Sequence, residues 1–153
     1  MIYEFCAENV TLLEKAMQAG ARRIELCDNL AVGGTTPSYG VTKAAVELAA
    51  NYDTTIMTMI RPRGGDFVYH DLEIAVMLED IRLTAQAGSQ GVVFGALTAD
   101  KKLDKPNLEK LIAASKGMEI VFHMAFDELS DEDQLEAIDW LSQAGVTRIL
   151  TRA

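Results

Sequence analysis

The sequence predicts an α/β fold built from repeated βα units, and three observations predict it. The first is a phrase that occurs three times: Gln18-Ala19-Gly20-Ala21-Arg22-Arg23-Ile24, Gln86-Ala87-Gly88-Ser89-Gln90-Gly91-Val92 and Gln143-Ala144-Gly145-Val146-Thr147-Arg148-Ile149. In each copy an amphipathic stretch meets a glycine and passes into an apolar run. A glycine just past a helix takes the left-handed conformation that ends it, so each copy reads as a helix-to-strand junction. The second is that strand and helix patterns alternate throughout, which requires a parallel sheet covered by helices. The third is where the chemically versatile residues fall. Cys6, Cys27, Arg61 with Arg63, His123 with Asp127, and Thr151 sit at the ends of successive strands. A doubly wound sheet gathers such residues at one switch point, whereas a TIM (β/α)8-type barrel spreads them over the loops that follow its strands. The distribution favours the barrel.

Taken in order, the first strand is expected near 2–6 and a helix near 9–19. A second strand near 22–27 runs into a glycine-rich loop, Val32-Gly33-Gly34-Thr35-Thr36-Pro37-Ser38. Thr36 before Pro37 has the pattern of an N-cap followed by proline at the first helical position, and the helix is expected near 38–51. A strand near 54–60 ends at Pro62, and a helix near 70–87 follows, with Leu72, Val76, Leu78, Ile81 and Leu83 at roughly helical spacing. The remaining elements are a strand near 91–95, a helix near 105–116, a strand near 118–123, a helix near 131–144 and a strand near 147–151. Six strands and five helices make an incomplete barrel, because closure takes eight strands in about 250 residues. Residues 1–153 are therefore expected to form one βα-repeat domain, the N-terminal portion of a barrel, unless strands come from elsewhere or the sheet stays open.

Composition narrows the function. At 153 residues and 49% hydrophobic, the chain can bury a sizeable core. Its net charge of −9 argues against nucleic acid and anionic membrane surfaces as partners, since both need basic patches. No basic segment followed by an apolar core opens the sequence, and no apolar run is long enough to span a bilayer, so a cytoplasmic location is expected. Two cysteines are too few for a disulfide scaffold. The seven methionines are scattered through apolar stretches and read as packing.

Those two cysteines share a local pattern, Glu4-Phe5-Cys6 and Glu25-Leu26-Cys27. Side chains alternate along a strand, so Glu4 shares a face with Cys6 and Glu25 with Cys27. Parallel neighbours lie about 4.8 Å apart, which brings both sulfurs within reach of one ion. Thiolates suit soft metals such as Cu(I) or zinc, while a buried cysteine also packs as a small hydrophobe; both readings stand at this point.

Three further segments are candidates. Arg61 and Arg63 in Ile60-Arg61-Pro62-Arg63-Gly64-Gly65-Asp66-Phe67 offer donor forks suited to a carboxylate or phosphate. Arg61 is alternatively an ion-pair partner for Glu4 or Glu25, and near either it would lower the carboxyl pKa. Gly33 and Gly34 lie in a loop whose backbone N–H groups can face an anion, or they simply form a connecting turn. In Phe122-His123-Met124-Ala125-Phe126-Asp127, an Asp near a His fixes its tautomer for acid/base work or metal ligation. The other histidine, His70, opens a helix and reads as a surface residue.

Taken together these segments resemble the CutC-type copper homeostasis proteins. The resemblance rests on the Glu-x-Cys strand ends, Arg22-Arg23-Ile24-Glu25-Leu26-Cys27, Gly33-Gly34-Thr35-Thr36-Pro37-Ser38-Tyr39-Gly40, the arginine loop 60–67, and His123-x-Ala125-Phe126-Asp127. It covers essentially the whole chain, and it departs at Met124, where the family usually has arginine. It implies a cytoplasmic (β/α)8 barrel, often a homo-oligomer, linked to copper handling, with Cys6 and Cys27 matching the cysteines proposed to bind Cu(I). On that reading Glu4 and Glu25 tune the site, and Arg61 and His123 surround it. The alternative is an enzyme, a hydrolase or lyase, acting on a small anionic molecule. In that case Arg61, Arg63, Gly33 and Gly34 bind the anion, His123 is the acid/base, Asp127 orients it, and Glu25 is a second base or metal ligand. A third reading is an interaction module whose barrel is completed by another chain.

Overall fold

The computed structural model describes residues 1–152. Six parallel strands follow one another in the sheet in chain order: β1 (Glu4–Glu8), β2 (Arg23–Cys27), β3 (Thr55–Met59), β4 (Gly91–Phe94), β5 (Glu119–Phe122) and β6 (Arg148–Ile149). Between them run α1 (Leu13–Gln18), α2 (Tyr39–Ala49), α3 (Asp71–Ala87), α4 (Lys105–Ala114) and α5 (Asp131–Ala144). The strand order never reverses, so the sheet has no switch point.

The two faces of the sheet are covered differently. Ile24, Leu26, Ile56, Val92, Phe94, Ile120 and Phe122 point to the helix side and pack with Met17, Ala45, Met77, Ile81, Leu111 and Leu141. Cys27, Met57, Met59, Val93 and Val121 form a separate buried cluster on the opposite face, contributed entirely by strands. Helices therefore cover one face only, as in a barrel wall, whereas a doubly wound sheet is covered on both. Across the inner face, Arg148 on β6 reaches the sulfur of Met57 on β3 at 3.5 Å. It passes the bare backbone of Gly91 on β4, where a Cβ would lie 2.4 Å from that sulfur. The chain forms an incomplete TIM-type barrel, with β1 and β6 at the two edges of the sheet.

The repeated phrase terminates helices as its glycines imply. Gly20, Gly88 and Gly145 have φ of +105°, +91° and +99°, the left-handed region that few other residues occupy. Some element ends differ from expectation for identifiable reasons. The first strand runs over Glu4–Glu8 rather than 2–6, because its register is set by β2, with Glu4 opposite Arg23 and Glu8 opposite Cys27. The first helix starts at Leu13 rather than residue 9, because Asn9 and Leu12 sit at positive φ in the intervening turn. Ser38, not Thr36, caps α2, its hydroxyl accepting from the Val41 N–H at 3.2 Å. Thr36 is engaged elsewhere, against Arg61.

Candidate functional site

Alternation along two paired strands assembles the site. Cys6 lies opposite Glu25 in the β1–β2 register, and Cys27 is two residues further along β2 on the same face. The Cys6 thiol donates to Glu25 Oε1 at 3.6 Å, and the Cys27 thiol donates to the same oxygen at 3.7 Å. Ligand atoms of Cys6, Glu25 and Cys27 all lie within 4.8 Å of one another. A metal–thiolate bond of about 2.3 Å sets a limit of about 4.6 Å on two sulfurs that share one ion, close to the outer bound of this cluster. Cys27 is fully buried and Cys6 exposed, which gives the triad one open side.

Electrostatics follow from that burial. Desolvation, then the charge of Glu4, raises the Glu25 carboxyl above its ordinary pKa, while hydrogen bonds from Cys6 and Cys27 pull the other way. The neighbouring Cys6 thiol, then burial, push the Cys27 thiol up as well, and the Glu25 charge adds to that rise. Glu4 itself pairs with Arg23, its opposite number on β2.

Arg61 pairs with neither glutamate, and Glu25 is raised rather than lowered, contrary to expectation. Its guanidinium is buried, and it donates from Nη1 to the carbonyls of Val32 at 2.7 Å and Gly34 at 2.9 Å, and from Nη2 to that of Gly65 at 2.9 Å. The loop of Gly33 and Gly34 thus turns its Val32 and Gly34 carbonyl oxygens toward Arg61, and Gly34 lies over Cys27. Arg63 is committed to its own loop and helix, donating to Glu73 Oε1 at 2.5 Å and to Asp66 Oδ1 and the Val68 carbonyl.

His123 is buried at the end of β5, its ring 5.0 Å from that of Phe67, which also lies 5.0 Å under the Arg61 guanidinium. Burial, then the Arg61 charge, lowers its pKa to about 3, so it is neutral in ordinary conditions. Nδ1 accepts the Ala125 N–H at 3.2 Å, which places the ring proton on Nε2. Asp127 does not orient it. A 3-10 turn over Met124–Glu128 begins at once after His123 and carries Asp127 away, where Oδ2 accepts the Arg152 N–H at 3.0 Å. The structure thus brings Cys6, Glu25 and Cys27 together, and separately Arg61 and His123 around Phe67. Arg63 and Asp127 join neither group.

Sequence reasoning gave no functional role to Thr36, Phe67 or Tyr69, or to Met57 and Met59 beyond packing. The methionines lie on the inner face with Cys27, and period-two alternation with Arg61 was their only sequence signal.

Fold and triad define a TIM-type barrel wall with two thiols and a carboxylate converging on its inner face. The chain belongs to the CutC family, whose family model matches residues 1–153. A CutC family protein of Enterococcus faecalis is 54% identical over 151 residues, covering 99% of this chain and 72% of the relative. The crystal structure of a Streptococcus agalactiae CutC, named as a copper homeostasis protein, superposes with a TM-score of 0.95 at 48% identity, over 99% of this chain and 72% of that one. An archaeal fructose 1,6-bisphosphate aldolase shares the fold alone, with a TM-score of 0.65 at 14% identity over 90% of this chain and 52% of that chain. Among the described residues, no helix is long and apolar enough to cross a membrane.

Proposed function

We propose that this chain binds Cu(I) through Cys6 and Cys27 and serves copper homeostasis in the cytoplasm. One observation carries the reading: the only two cysteines of the sequence direct their sulfurs to a single carboxylate oxygen. Soft thiolates favour Cu(I), and a reducing compartment keeps both as thiols. Glu25 holds the two sulfurs aimed at one point before the ion arrives and lies close enough to be a third donor. Ion binding releases the thiol protons, so affinity rises with pH. Membership of a family with a relative named for copper homeostasis supports the assignment.

The test is an anaerobic Cu(I) titration against a chromogenic chelator, comparing wild type with a folded Cys6→Ser/Cys27→Ser variant. Tight binding of one equivalent that vanishes in the variant is expected. Equal, weak binding by both would overturn the proposal.

A second reading, an enzyme acting on a small anionic molecule, draws on one observation. Among the described residues Arg61 Nε, Tyr69 Oη and His123 Nε2 are buried without hydrogen-bond partners, and a small polar molecule is one group that satisfies atoms of that kind. Thermal shift with phosphorylated and carboxylated small molecules, on wild type and His123→Asn, tests it. Stabilisation of wild type alone would support this reading; no shift with any compound would remove it.

A further inference from the structure

The loop between β2 and α2 is tied down on both flanks. Its ends pair with each other, the Asp28 N–H donating to the Thr35 carbonyl at 2.9 Å and the Thr35 N–H to the Asp28 carbonyl at 2.8 Å. On the β1 side, the Leu30 N–H donates to the Glu8 carboxylate at 2.5 Å. On the β3 side stand the two Arg61 bonds to Val32 and Gly34 and a double seam with Thr36. There the Arg61 N–H donates to Thr36 Oγ1 at 2.8 Å, and the Thr36 N–H donates to the Arg61 carbonyl at 3.0 Å.

What this tether holds down is Gly34, at φ +93°, where a Cβ would lie only 3.0 Å from Cys27 Sγ. The backbone of the loop therefore rests on the sulfur. The thiol beneath it has no exposure, while Cys6 on the neighbouring strand is open.

We propose that Arg61 is a positioning residue that seats the Gly33–Gly34 loop as a lid on the Cys27 sulfur. Cys6 is then the entry ligand, and Cys27 is reached only when the lid lifts. The inference rests on the copper reading only for the identity of the incoming ion, because the lid and its latch stand on geometry alone. The chemistry of the latch requires arginine. A planar fork reaches carbonyls on two loops at once, Val32 and Gly34 on one and Gly65 on the other, and an ammonium point charge does not. Hydrogen bonds from a charged donor are stronger than neutral ones, so losing this set shifts the lid towards open.

The test needs no copper. In a Cys6→Ser background Cys27 is the only thiol, and its reaction with Ellman's reagent under native conditions reports access. Adding Arg61→Ala is expected to raise the rate about tenfold or more, equivalent to roughly 1.4 kcal/mol of lid closure. Adding Arg61→Lys is expected to give a similar rise, and Thr36→Val a smaller one. Losing a nearby positive charge by itself slows thiolate formation, so a faster rate with Arg61→Ala reports access rather than activation. Near-ultraviolet circular dichroism and a thermal midpoint establish that each variant is folded. Should Arg61→Ala fail to fold, Thr36→Val, which keeps the guanidinium, decides. Folded variants that react no faster than the Cys6→Ser parent would overturn the proposal. Failure of the Cu(I) titration would leave this result standing, so the two readings fail separately.

Discussion

Cys6 and Glu25 face each other across the β1–β2 pair, and their side chains meet, Sγ to Oε1, at 3.6 Å. Because Cys27 approaches the same oxygen from the next inward position on β2, one carboxylate organises two thiols that differ in exposure. That asymmetry leads to the first prediction. Brief treatment of the native chain with iodoacetamide is expected to place a single adduct on Cys6, with Cys27 modified only after denaturation. Peptide mass spectrometry reads the outcome, and equal labelling of both residues would contradict the burial of Cys27.

Glu25 carries a raised carboxyl pKa, caused first by burial and then by Glu4. In the native state its proton is retained to higher pH than in the unfolded chain, so between the two values the unfolded chain binds fewer protons. Stability associated with this group is therefore present at low pH and is lost as pH rises through the folded pKa. Glu25→Gln, which keeps an acceptor for both thiols, is expected to raise the urea midpoint at pH 7 and to have a smaller effect near pH 4. A lowered midpoint at pH 7 would show that the carboxylate is stabilised by its surroundings instead.

His123 works with the opposite sign. Its pKa falls from 6.5 to about 3, so the unfolded chain binds the proton first. The stability it contributes is complete above about 6.5 and drains away as pH falls towards 3, at up to about 1.4 kcal/mol per pH unit. His123→Asn retains an acceptor for the Ala125 N–H but does not titrate. It is expected to be less stable than wild type at pH 7 and to show a flatter loss between pH 6 and 4 in urea denaturation. Parallel curves would refute the burial of a neutral imidazole.

Gly91→Ala is expected to be among the most damaging small changes on the inner face. A Cβ there meets Met57 Sδ at 2.4 Å and the backbone carbonyl of Glu119 at 2.8 Å. Overpacking of this kind costs about 1–3 kcal/mol or more. Met57→Ala in the same chain is expected to recover only part of the loss, because the carbonyl cannot withdraw as a side chain can. Full recovery in a double-mutant cycle would show that the sheet backbone gives way.

Much of this arrangement was legible in the residues. Period-two alternation placed Cys6, Glu25 and Cys27 on one face, and the glycines at 20, 88 and 145 marked three helix ends by a conformation that side chains resist. The partners of Arg61 were not legible, because they are backbone carbonyls, which every residue possesses and no side-chain pattern announces. Asp127 stands four residues after His123, a spacing that brings side chains together on an α-helix; the 3-10 turn that begins there breaks that geometry. The start of β1 depended on where β2 offered a partner, a tertiary choice that overrides local propensity.

The triad comes from two consecutive strands, whereas the guanidinium that seats the loop over Cys27 comes from the segment just after the third. A ribosome makes both cysteines before it makes Arg61, which lies 34 positions after Cys27. At about 5–20 residues per second this leaves roughly 2–7 seconds of synthesis during which the inner thiol exists without its fastening. The newborn chain is thus more open to oxidants and stray metal ions than the finished one, and order of manufacture becomes part of how the sulfur is guarded.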